Sequence, residues 1–182
     1  SDNRQVGGIW IKNTIVENGG HGIQLNGRYG LFDVISDNIT PLFIGLEDSD
    51  PVDGLDRGNI IRENGLWGIR VERGGSLSVA NNDISHNSSF GSPTGEGGGI
   101  FVDSQSFNPD IEIAIKKNVL IGNWGIGLDF SVSSQATMVA TVRDNLIKEN
   151  MNPGGYETSD GVELTTFGVL HFTATGNFIE GN

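Results

Sequence analysis

Four acidic residues each stand directly after a short apolar phrase. Glu47 follows I-G-L at 44–46, Glu72 follows G-I-R-V at 68–71, Asp103 follows G-I-F-V at 99–102, and Asp129 follows G-I-G-L at 125–128. The phrase recurs as G-I-Q-L at 22–25 and G-V-E-L at 161–164, followed there by Asn26 and Thr165. Apolar residues at every second position mark strands, with the intervening residue pointing outward. Stacked in register about 4.8 Å apart, such strands would place the four carboxylates in one column. Like charges so close repel, which raises a pKa unless a cation sits among them. A hard cation such as calcium takes several oxygens in a small volume. Glu47, Glu72, Asp103 and Asp129 are therefore candidate metal ligands. The competing reading is a row of solvated strand ends on an acidic protein.

A second acidic feature is E-D-S-D-P-V-D-G-L-D at 47–56. Asp48, Asp50 and Asp53 form an alternative calcium turn. They only approach the D-x-D-x-D-G loop, because the third acid comes one residue late and no Glu closes the twelfth position. A polar, Pro-containing corner is the plainer explanation.

Two turns between the phrases are long, 88–98 with Phe90 and 151–160 with Tyr156, and the turn between them is short and carries Trp124. Long, short, long along a stack makes a notch. Phe90 and Tyr156 would be its walls and Trp124 its floor, with Asp103 and Asp129 beside it. Aromatic platforms next to carboxylates suit a sugar, so Trp124, Phe90 and Tyr156 are candidate substrate-binding residues. Alternatively Trp124 packs beneath the long turns as a plain hydrophobe.

The elements that must position these residues follow from a repeat. N-x-[IL]-x-x-N stands at 13–18, 59–64, 82–87, 118–123, 145–150 and 177–182, and a degenerate copy begins at Asn38. The first Asn positions are spaced about 27 residues apart on average, a period typical of solenoids. Each unit holds three short alternating segments separated by turns, and glycine, 28 in all, interrupts any helical pattern. One such unit cannot bury its apolar face alone, whereas stacked units bury Ile, Leu and Val in a continuous column. G-I-W-I at 8–11 fits either the outer-strand phrase or another strand of a first coil.

Composition narrows the function classes. The 182 residues include 23 acidic and 11 basic ones, for a net charge of −12. Such a chain repels phosphate backbones and has no basic stripe, so nucleic acid is not an expected partner. No apolar run approaches the roughly 18 residues that span a bilayer. There is no cysteine, hence no disulfide framework and no zinc–thiolate site.

With these phrases the sequence resembles the right-handed parallel β-helix of the pectate-lyase-like superfamily over roughly residues 9–182. The resemblance implies an all-β solenoid of about six to seven coils and a single domain over 1–182, a module of a longer chain. It implies a stacked Asn ladder at one turn: Asn38, Asn59, Asn82, Asn118, Asn145 and Asn177, with Asn13 at its N-terminal end. Asn tolerates the left-handed backbone of a sharp corner. Enzymes of the superfamily carry calcium-binding or catalytic carboxylates on the outer strand, which points to Asp103 and Asp129, and use an Arg or Lys base, for which Arg70 is the candidate. The polygalacturonase-like G-H-G at 20–22 lacks that family's accompanying acidic motifs, so His21 reads as a turn residue. His86 and His171 have no evident chemistry. The expected function is an extracellular, periplasmic or cell-surface β-helix that binds polysaccharide or cleaves it as a calcium-dependent lyase. The alternative is a non-catalytic structural or adhesin module. No cap is evident at 177–182, so further coils or end-to-end self-association are expected to cover that edge.

Overall fold

The computed structural model describes residues 9–10, 13–26, 42–45, 58–72, 77–88, 97–104, 111–151 and 160–182. The first coil holds β1 (Ile9–Trp10), β2 (Thr14–Val16) and β3 (Ile23–Asn26), and the second β4 (Leu42–Gly45), β5 (Ile60–Arg62) and β6 (Trp67–Glu72). Then come β7 (Leu77–Ala80), β8 (Asp83–Ser85) and β9 (Gly98–Asp103), followed by β10 (Ile111–Lys116), β11 (Val119–Ile121) and β12 (Ile126–Val132). The last described strands are β13 (Thr137–Arg143), β14 (Leu146–Lys148), β15 (Val162–Thr166), β16 (Val169–Thr175) and β17 (Phe178–Glu180).

Every third strand joins the same sheet. The first sheet is β1-β4-β7-β10-β13-β16, the second β2-β5-β8-β11-β14-β17, and the third β3-β6-β9-β12-β15. All pairings are parallel. The chain is thus a parallel β-helix, whose described residues supply six strands to the first sheet and six to the second. G-I-W-I resolves as a first-sheet strand, since Ile9 and Trp10 pair with Phe43 and Ile44.

Alternation sends one apolar residue per coil into each inner column. Ile15, Ile61, Ile84, Leu120, Ile147 and Ile179 align along the second sheet. Ile61, Ile84, Leu120 and Ile147 are fully buried. Ile23, Ile69, Ile100, Leu128 and Val162 align along the third. A residue of similar size above and below each side chain fills the tube without voids, which is what close packing demands.

Two corners carry Asn ladders. Asn13, Asn59, Asn82, Asn118, Asn145 and Asn177 form the first; at each step the backbone N–H and Nδ2 of one Asn donate to Oδ1 of the next, at 2.8–3.1 Å. Asn38 is not a rung. It lies outside the described residues, and Asn13 bonds Asn59 directly, leaving no place between them. The second ladder, Asn18, Asn64, Asn87, Asn123, Asn150 and Asn182, has the same bonding at 2.8–3.2 Å. Where a left-handed residue stands at these corners it is the one before the Asn, as at Lys117 (φ 53°), Asp144 (φ 56°), Glu63 (φ 56°) and Glu149 (φ 55°), and not the Asn itself. The Asn instead satisfies the backbone that the corner exposes: Asn118 Nδ2 donates to Val79 O at 2.9 Å, and Asn123 Nδ2 to Ile84 O at 3.0 Å. Buried polar groups are tolerated only when so paired.

A column of glycines locks the third sheet to the second ladder. A Cβ on Gly22 would lie 2.7 Å from Ile61 and 2.8 Å from the Asn64 amide; one on Gly127 would lie 2.6 Å from Gly161 O and 2.8 Å from Ile147. Gly68, Gly99 and Gly161 meet equivalent neighbours. The glycine opening each outer-strand phrase is required by this close approach.

Candidate functional site

The outer face of the third sheet carries two rows in register. Gln24, Arg70, Phe101, Asp129 and Glu163 make one; Asn26, Glu72, Asp103, Ser131 and Thr165 make the other. The expected column Glu47–Glu72–Asp103–Asp129 does not form. Glu72 pairs with Asp103, but Asp103 pairs with Ser131, and Asp129 stands one row over, opposite Phe101 and Glu163. The register is set by Gly127, which aligns with Gly99 and Gly161, so the fourth phrase is G-L-D-F at 127–130 and not G-I-G-L at 125–128. Glu47 lies outside the described residues, and the strand before it, β4, pairs with β7 in the first sheet.

The corrected register still gathers acids. Asp129, half-buried, has its pKa pushed from 3.8 up to about 7, first by burial, then by the Glu163 carboxylate, then by that of Asp103. Glu163 is the member that sequence reasoning left out of the acid set, although it stands in the same outward row. The Thr165 hydroxyl is 3.5 Å from Glu163 Oε1. Asp103 and Asp129 are thus neighbours on the diagonal, near enough to repel.

Beside the acids lies an aromatic pair. The rings of Trp67 and Phe101 are 5.3 Å apart and tilted by 32°. Arg70 extends its guanidinium over Phe101, 5.2 Å from the ring centre. It also donates from Nη2 and Nε to Glu72 Oε1 at 2.6 and 3.0 Å. An arginine held this way is a cation that orients its neighbours. Arg70 lies close to Glu72, as the sequence indicated.

Other sequence candidates scatter. Trp124 sits on the turn between β11 and β12 and is 43% exposed. Phe90, Tyr156, Asp48, Asp50 and Asp53 lie outside the described residues. His21 accepts a hydrogen bond from Trp67 N–H at 3.3 Å, a turn residue's role. Among the described residues no group of three or more His, Asp or Glu is placed to hold a metal ion. Asp103, Asp129 and Glu163 offer hydrogen-bond acceptors, and Asp129 a proton held up to about pH 7. Among the same residues, no helix is long and apolar enough to cross a membrane.

Comparison with known proteins agrees with the coil geometry. The profile of the family described as the right-handed beta helix region matches residues 4–179. No curated protein and no solved structure matches the chain significantly. The parallel three-sheet coil and a profile match over nearly its whole length lead to one conclusion: this chain belongs to the right-handed β-helix family.

Proposed function

We propose that the outer face of the third sheet binds polysaccharide outside the cell. The observation that carries this reading is the position of Phe101, set in one row between the Arg70 cation and the Asp129 carboxyl. A half-buried ring offers a platform for a sugar's apolar face, and flanking acceptors fix its hydroxyls. Asp129, with its pKa raised to about 7, can both donate to and accept from a hydroxyl. That same property suits a general acid or base should the face also cleave its ligand. With net charge −12 and Glu72, Asp103, Asp129 and Glu163 all on this face, neutral glycans fit best. A polyuronate would need calcium to bridge the two sets of carboxylates. The test is isothermal titration with neutral oligosaccharides, and with polyuronates with and without calcium. Binding that is lost in Phe101→Ala and Asp129→Ala supports the reading, and binding unchanged in both sinks it.

The second reading is a non-catalytic structural module. It is favoured by the Arg70–Glu72 pairing, which engages the guanidinium with a carboxylate of its own strand. Incubation with polyuronates, followed by the ultraviolet absorbance of unsaturated products, separates the two. Product formation would remove the structural reading.

A further inference from the structure

The outer face of the first sheet carries charge of the opposite sign. On β10 the buried Ile111, Ile113 and Ile115 alternate with outward Glu112, Ala114 and Lys116. On β13 the buried Met138, Ala140 and Val142 alternate with outward Thr137, Val139, Thr141 and Arg143. Register sets Lys116 directly opposite Arg143. Both strands lie inside the stack, between β7 and β16. The third-sheet face gathers Glu72, Asp103, Asp129 and Glu163, whereas here two of the chain's 11 basic residues meet.

Cations facing each other on strands about 4.8 Å apart repel, and such a pair destabilises a sheet. Both side chains are half-buried, and Nε of Arg143 is fully buried, which fixes the stem of its guanidinium against the sheet. The surrounding side chains are short. Ala80 and Thr175 flank the pair in its own row, and Ala114 and Thr141 stand in the next row. Glu112 is four residues before Lys116, about 13 Å along the strand. Lys117 and Asp144 follow the pair at the corner, and the Asp144 carboxylate leans over Gly176 of the next coil.

We propose that Lys116 and Arg143, with the Thr141 and Thr175 hydroxyls, bind a carboxylate or sulfate group of an acidic polysaccharide. An anion between the two cations turns their repulsion into two attractions. The guanidinium presents parallel N–H groups to two oxygens, the ammonium adds a compact charge, and the hydroxyls donate to what remains. Two cations suit the separated charges of a glycan. The dense phosphates of nucleic acid would be repelled by a chain of net charge −12. The site lies on a different sheet from Phe101 and uses no calcium.

The 182-residue chain, with chelator present, is titrated calorimetrically with polygalacturonate, dextran sulfate, sodium sulfate and neutral dextran. The acidic polymers are expected to bind, with affinity falling as salt rises. Lys116→Gln and Arg143→Gln are each expected to weaken that binding about tenfold and to leave the response to neutral dextran as in wild type. Lys148→Gln removes a cation that pairs with Glu149 and Glu180 on the second sheet, and it is expected to keep wild-type affinity. Circular dichroism checks each fold; should Arg143→Gln unfold, Lys116→Gln alone carries the test. Acidic polymers that do not bind, or that bind Lys116→Gln as tightly as wild type, overturn the proposal. Sodium sulfate bound while both polymers are ignored would assign the site to a free ion and overturn the polysaccharide. A DNA duplex bound as tightly as polygalacturonate would do the same.

Discussion

Asp129 and Glu163 stand directly opposite each other on β12 and β15, both on the outer face of the third sheet. Burial raises the Asp129 pKa first, and repulsion from the facing Glu163 and then from Asp103 adds to it, so that it reaches about 7. A carboxyl with a raised folded-state pKa binds its proton more tightly in the folded chain than in the unfolded one. Its contribution is fully present below 3.8 and lost as pH rises to about 7. Asp129→Asn is expected to match wild type in thermal stability near pH 3.5 and exceed it at pH 8 by a few degrees, on the order of 1–2 kcal/mol after solvent screening of a half-exposed group. Glu163→Gln is expected to lower the Asp129 pKa, as read by carboxyl-carbon NMR titration. An unchanged titration would show that Glu163 does not act on it.

The ladders supply a second expectation. Asn118 donates its backbone N–H and Nδ2 to Asn145 Oδ1 at 2.8 and 3.1 Å, and both residues are buried. Asn145→Leu strands those donors in the interior. At about 1–3 kcal/mol for each unsatisfied buried group, the loss is roughly 3–5 kcal/mol, or a fall of about 10 °C in Tm for a chain of this length. Asn150→Leu is expected to cost as much, since Asn123 depends on it in the same way. Thermal melts check both. Equal stability of Asn150→Leu and wild type would mean that the second ladder is idle.

How much of this was legible in the sequence turns on the second ladder. The repeat itself disclosed the coil, because each corner needs Asn and each inner column needs Ile, Leu or Val. Apolar alternation, however, looks the same in all three sheets. I-G-L at 44–46 therefore read as an outer strand although β4 belongs to the first sheet. Only Asn and Gly distinguish the positions. Gly22 stands four residues after Asn18, Gly68 four after Asn64, and Gly127 four after Asn123. Counting four from Asn123, as from Asn18 and Asn64, selects Gly127 over Gly125 and, with G-V-E-L opening at Gly161, sets Asp129 beside Glu163; after Asn87 and Asn150 the turns are longer and the count does not apply. The Trp67–Phe101–Arg70 cluster was not legible, because it depends on which coil lies above which.

The glycine column gives a third expectation. Gly127→Ala would push a methyl to 2.6 Å from Gly161 O and 2.8 Å from Ile147. Neither a backbone carbonyl nor a buried Ile can retreat within the stack, so overpacking of about 1–3 kcal/mol is expected. Gly20→Ala is the control, for nothing lies within 4 Å of its Cβ position. Chemical denaturation is expected to show a lowered midpoint for Gly127→Ala and none for Gly20→Ala. Matching midpoints would deny the close approach.

Phe101 separates recognition from stability. Its ring touches Trp67 and lies beneath Arg70, but it is only half-buried on the outer face. The core beneath consists of Ile69, Ile100 and Leu128, which a truncation at Phe101 leaves in place. Phe101→Ala is therefore expected to cost the fold only about 1 kcal/mol, from the lost ring contacts. A sugar stacked on the ring would lose its platform, and affinity is expected to fall roughly tenfold, about 1.4 kcal/mol. Phe101→Tyr keeps the platform and is expected to restore binding. Titration of wild type and both variants with one oligosaccharide, alongside their melts, reads the two effects independently. If Phe101→Ala and Phe101→Tyr weaken binding alike, the ring is not where the sugar rests.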